Sequence, residues 1–65
     1  MKIFVNDAPH EVAATRLDAA LGELGYAGAV VATAVNGDFV PAAARPGHAL
    51  APGDRVEIVA PRQGG

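Results

Sequence analysis

The apolar residues change period twice along this chain, from two to about 3.6 and back, and that change sets what can form. Residues 1–6 alternate: Met1, Ile3 and Val5 share one face, and Lys2, Phe4 and Asn6 the other. That is the period of a half-buried strand. Leu17, Ala20, Leu21 and Leu24 then fall at i, i+3, i+4 and i+7, a single helical stripe. At the end, Val56 and Ile58 alternate with Arg55 and Glu57. One helix laid on one face of a small sheet buries all three stripes together.

Size leaves few alternatives. A chain of 65 residues has room for one domain, and domains this small are marginal without help. With no cysteine, disulfides, thiolate metal sites and a cysteine nucleophile are all excluded. The hydrophobic share of 51% overstates the core, because fifteen of those residues are alanines. The bulkier candidates are Ile3, Val5, Val12, Leu17, Leu21, Leu24, Val31, Val35, Phe39, Leu50, Val56 and Ile58. Nearly all of them must converge for the chain to fold.

Turn chemistry divides the rest. Asn6-Asp7 is a turn signal, since both side chains bond local backbone and tolerate unusual angles. A short antiparallel strand is expected over residues 10–13, with Pro9 at an edge or at its start, where no ladder donor is needed. Thr15 is the expected helix N-cap, Asp18 suits the first turn, and Gly25 the stop. Gly22 marks either a close backbone approach to the sheet or an exposed helix face. A third strand is expected over residues 30–35, followed by the hairpin signal Asn36-Gly37. Residues 38–40 should pair back and stop at Pro41, and residues 42–51 read as irregular with one helical turn. Pro52-Gly53 fits a type II turn that launches the last strand. The first and last strands are expected to pair in parallel at the sheet centre.

Charge and motif content narrow the function. A net charge of −2 and a pI near 5.4 argue against nucleic acid. No apolar run is long enough to span a bilayer and no signal pattern opens the chain, so cytoplasmic location is expected. His10 and His48 stand apart, too few to hold a metal. Asp38, Asp54 and Glu57 fall on turns or an outward strand face and read as solvated charges. There is no serine for a hydrolase triad and no glycine-rich phosphate loop.

The remaining feature is the end of the chain, Arg62-Gln63-Gly64-Gly65. Glycine has no Cβ and reaches backbone angles closed to other residues. A diglycine end can thread a narrow channel and leaves the carboxylate of Gly65 with no side chain beside it. Residues 1–60 are expected to form the domain and 61–65 a flexible tail.

A ββαββ order in a chain this short, with this ending, resembles the ubiquitin-like β-grasp fold. It is most similar to the sulfur carriers of the ThiS/MoaD family. The likeness is carried by residues 1–7, by Thr15, Leu21 and Leu24 of the helix, and by Ala34-Val35-Asn36-Gly37 with Val40-Pro41. Leu50, Pro52-Gly53-Asp54-Arg55-Val56-Glu57-Ile58 and the closing Arg62-Gln63-Gly64-Gly65 complete it. Pro52 stands where the family more often has an acidic residue or asparagine, and residues 42–49 match weakly.

The resemblance implies a protein co-substrate and not an enzyme. It implies that an E1-like, ThiF-like adenylating enzyme joins the Gly65 carboxylate to AMP, with ATP bound by that enzyme and no cofactor held by this chain. Sulfur from a persulfide donor protein would then give a thiocarboxylate, and a ThiG-like thiazole synthase would draw the sulfur into thiamine. Gly65 supplies the reacting carbon and Gly64 the clear approach. Arg55, Val59, Arg62 and Phe39 are the candidate docking residues, on the outward face beside the tail, because a thin tail offers little binding area. Two alternatives stay open: a MoaD-like small subunit of molybdopterin synthase, and a ubiquitin-like modifier or interaction module. Replacing Gly64 with valine is expected to slow adenylation without unfolding the domain; adenylation at the wild-type rate would remove the steric role given to Gly64.

Overall fold

The computed structural model describes residues 1–60. Its centre is the last strand. Five strands form one mixed sheet in the order β2-β1-β5-β3-β4. They are β1 (Lys2–Val5), β2 (Ala8–Glu11), β3 (Ala32–Val35), β4 (Asp38–Val40) and β5 (Arg55–Val59). β1 and β5 are parallel, with Phe4 opposite Arg55 and Val5 opposite Val56. β5 pairs antiparallel with β3 from Val56–Val35 to Val59–Ala32. A single helix, α1 (Leu17–Glu23), supplies Leu17, Ala20 and Leu21 to the buried layer.

Local sequence explains each turn. Asn6 and Asp7 have φ of 49° and 70°, and Asn36 and Gly37 have 51° and 86°. Two successive positive values make the primed turn whose twist suits a tight hairpin. The first joins Val5 to its partner Ala8 and the second joins Val35 to Asp38. Gly53 has φ 86° after Pro52, and the Asp54 N–H donates to the Ala51 carbonyl at 3.1 Å, closing the expected type II turn. α1 ends with Gly25 at φ 92°, while the Tyr26 N–H reaches the Leu21 carbonyl at 2.8 Å. This is the Schellman arrangement, and it satisfies a carbonyl the helix leaves open.

The core is Ile3, Val5, Val12, Leu17, Ala20, Leu21, Val35, Val40, Leu50, Val56 and Ile58. Leu24 and Val31 pack against it from a partly buried position. Thr33 is buried among them, but its hydroxyl donates to the Val40 carbonyl at 2.7 Å and accepts from Arg45 Nε at 3.0 Å. No buried side-chain polar atom lacks a partner among the described residues, as a core this small requires.

Several expectations need correction. β2 spans Ala8–Glu11 and not 10–13, because the two-residue turn brings Ala8 directly opposite Val5. Pro9 does lie on an edge strand, opposite Phe4. Phe4 sends its N–H to the carbonyl of Asp54, just before β5, at 2.9 Å, so the Phe4–Pro9 pair needs no donor from proline. β3 begins at Ala32, and Val30 is exposed before it.

Thr15 is not the N-cap: Arg16 occupies that position with no side-chain cap. The segment before the helix is instead tied to residues 48–50, where the Leu50 N–H donates to the Thr15 carbonyl and the Leu17 N–H to the His48 carbonyl. A Cβ on Gly22 would meet nothing within 4 Å, so the exposed-face reading holds. Phe39 is not in the core, and Val40 takes the place expected of it. Residues 42–51 contain a 3-10 helix, Ala42–Gly47.

Leu17 is fully buried. Leu17→Ala is expected to cost about 2–5 kcal/mol, against a total stability of roughly 3–10 kcal/mol for a domain of this size. Urea denaturation should show a large drop in midpoint, and a small shift would mean the helix is not what closes the core.

Candidate functional site

The sheet has two unlike faces because the strands alternate. One face carries Ile3, Val5, Thr33, Val35, Val56 and Ile58 into the core. The other carries Lys2 and Phe4 of β1, Ala32 and Ala34 of β3, Phe39 of β4, and Arg55, Glu57 and Val59 of β5. α1 packs on the first face, and no described element covers the second. Phe39 is 69% exposed and Val59 63% exposed. Large apolar side chains at such exposure on one sheet face mark a surface fit for a partner.

Three candidate residues therefore share the outward face: Arg55, Val59 and Phe39. Arg55 and Val59 are on β5, and Phe39 reaches the same face from β4 by pairing with Ala34, which pairs with Glu57. Arg55 lies opposite Phe4 and approaches Asp7, Nη2 to Oδ1 at 3.3 Å. Both partners are largely exposed, so the pair contributes little to stability and Arg55 can exchange it for another carboxylate. Arg62, Gly64 and Gly65, and the whole expected tail 61–65, lie outside the described residues.

Two residues near this face had no functional role assigned from the sequence. Phe4 sits among the outward residues, with Lys2 Nζ 5.7 Å from its ring centroid. The alternation around Ile3 and Val5 already placed a phenyl ring outward, where solubility alone would not put one. Asn6 follows at the end of β1, and its side-chain amide bonds the backbone of Ile58 in β5. Its turn chemistry was legible, but this contact 52 residues away was not.

Clefts on the molecule are shallow. One of about 410 Å³ lies among Asp7, Asn36, Gly37, Arg55, Val56 and Glu57 on the outward side. Among the described residues no group of three or more His, Asp or Glu is placed to hold a metal ion. Among those residues no helix is long and apolar enough to cross a membrane.

One helix across a five-stranded mixed sheet, with a parallel β1–β5 pair inside it, defines a ubiquitin-like β-grasp protein. Its accessible chemistry is an open sheet face beside the end of a central strand. The model of the ThiS family matches residues 3–65, and the chain belongs to that family. It is similar in structure to a thiamine biosynthesis protein (ThiS) from Geobacter metallireducens, with a TM-score of 0.83, 28% identity and 100% of each chain covered. No curated protein matches it in sequence.

If the outward face serves a partner and not the fold, Phe39→Ser is expected to change stability by less than about 0.5 kcal/mol. Urea denaturation measures this, and a loss approaching that of a core truncation would show that the ring is structural.

Proposed function

We propose that the chain carries sulfur as a thiocarboxylate on Gly65 and delivers it for thiazole formation in thiamine biosynthesis. The ThiS family consists of small sulfur carriers of thiamine biosynthesis and not of catalysts. The observation that carries the reading is that the family match runs through Gly64 and Gly65, five and six residues beyond the end of the central strand β5. The same match favours the thiazole role over the molybdopterin one.

The chemistry follows from the carboxylate. A terminal carboxyl titrates at about 3.5, so at neutral pH it is an anion. It attacks the α-phosphorus of ATP well but is itself a poor electrophile. Adenylation forms the C–O–P bond of an acyl adenylate and releases pyrophosphate. A persulfide anion then attacks the acyl carbon and expels AMP, leaving an acyl disulfide. Attack by a second thiol on the outer sulfur releases the thiocarboxylate and takes that sulfur into an ordinary disulfide. ATP and the persulfide are held by partner proteins, an E1-like adenylating enzyme (ThiF-like) and a sulfur donor. A thiazole synthase (ThiG-like) receives the product.

Docking falls to the outward face. Phe39 and Val59 offer apolar anchors and Arg55 a cation beside them, with Arg62 the further candidate from the sequence. A few such residues carry most of the energy of a typical interface. Gly64 and Gly65 then enter the partner's active site, where any Cβ would crowd the reacting carbon.

Incubation with the adenylating enzyme, ATP and a persulfide donor, followed by intact mass measurement, tests the proposal. The expected product has one sulfur in place of one oxygen. Lysine adducts on other proteins would instead identify a modifier, and an unchanged mass a passive interaction module.

A further inference from the structure

Ile58 is the last residue of β5 whose backbone should bond on the β1 side. In a strand, each residue turns its N–H and C=O to the same side. β1 stops at Val5 and leaves through the Asn6–Asp7 turn, after the Asn6 N–H has donated to the Val56 carbonyl at 2.9 Å. The next rung of the ladder has no backbone to make it. The Asn6 side chain makes it instead. Its Oδ1 accepts from the Ile58 N–H at 2.9 Å, and its Nδ2 donates to the Ile58 carbonyl at 3.1 Å. One amide supplies both the acceptor and the donor of a missing strand residue. Among uncharged short side chains only asparagine carries both groups and also tolerates the left-handed φ of 49° found here.

We infer that Asn6 is a positioning residue for the carrier reaction. It fixes the direction in which the chain leaves the sheet after Ile58, on the path to the reacting carboxylate of Gly65. This rests on the sulfur-carrier reading above and deepens it. Asn36 makes a parallel contact at the other end of the same strand, where its Oδ1 accepts from the Arg55 N–H at 3.0 Å. Asn36 therefore fixes the start of β5 and Asn6 its exit. The two residues share turn type and positive φ, so each is a control for the other.

The test compares Asn6→Gly with Asn36→Gly in the full chain. Glycine accepts the left-handed turn, so each variant loses the side-chain amide without backbone strain. Adenylation is followed by ATP–pyrophosphate exchange with the adenylating enzyme, and amide hydrogen exchange is read at Val56 and Ile58. For Asn6→Gly, exchange at Ile58 is expected to accelerate about ten-fold more than at Val56. Its kcat is expected to fall on the order of ten-fold, with KM within about two-fold of wild type, because docking is intact and the carboxylate is misaligned. Asn36→Gly is expected to keep the wild-type kcat.

A purely structural loss would act differently, lowering the folded fraction and raising apparent KM while kcat at saturation stayed put. A wild-type kcat for Asn6→Gly, or an equal kcat loss for Asn36→Gly, would overturn the inference. Absence of adenylation in the wild-type chain would overturn the proposed function instead, and exchange at Ile58 would still decide whether Asn6 holds the strand's exit.

Discussion

Everything in this fold leans on the double pairing of β5. The strand closest to the end of the chain takes the centre of the sheet, with β1 parallel on one side and β3 antiparallel on the other. Val56 and Ile58 put its inner face under α1. A parallel pair cannot be joined by a tight turn, so the whole chain between β1 and β5 has to fold into the crossover. β1 and β2, α1, and β3 with β4 are built before the strand that unites them. The cost is a long loop closure, which grows slowly with length and is met by burial of one shared core.

The functional consequence is geometric. Residues 61–65 follow in sequence from the central strand β5, which is paired on both sides. Asn36 ties the start of that strand and Asn6 its exit, each by side-chain bonds to backbone. With one α-helix among the described residues, the sheet has a second face that no described element covers, and Phe39 and Val59 stand on it. The economy that leaves this small domain with one layer of helix also leaves it a docking surface.

Much of this was legible because the turns are chemically explicit. Asn36-Gly37, Pro52-Gly53 and Gly25 each stand where a positive φ is required, and each does the work its type suggests. The stripes of β1, α1 and β5 gave the buried faces, and the parallel pairing of β1 with β5 followed from them. The misplacement of Phe39 was avoidable. A two-residue turn after Val35 forces Ala34 opposite Phe39 and Thr33 opposite Val40, so the inward neighbour of Thr33 is valine. The same reasoning at Asn6-Asp7 would have started β2 at Ala8.

Other features had no local signal. Arg16 takes the N-cap because residues 48–50 engage the preceding segment, a tertiary contact that overrides capping preference. The Asn6–Ile58 bonds likewise need the folded sheet to exist. Val30 looks like a strand residue by β-branching, yet lies outside the ladder. At the site, alternation along β5 placed Arg55 and Val59 on one face, whereas Phe39 needed the register of the Asn36-Gly37 turn, and the role proposed for residues 62, 64 and 65 rests on family membership and the chemistry of a terminal carboxylate.

The most direct measurement is made on that carboxylate. A semisynthetic chain ending in a glycine amide keeps every residue and removes only the nucleophilic oxygen. Mixed with the adenylating enzyme, ATP and the sulfur donor, it should form no adenylate and gain no sulfur, while its urea midpoint stays that of the free acid. Sulfur transfer by the amide at the normal rate would contradict the central claim.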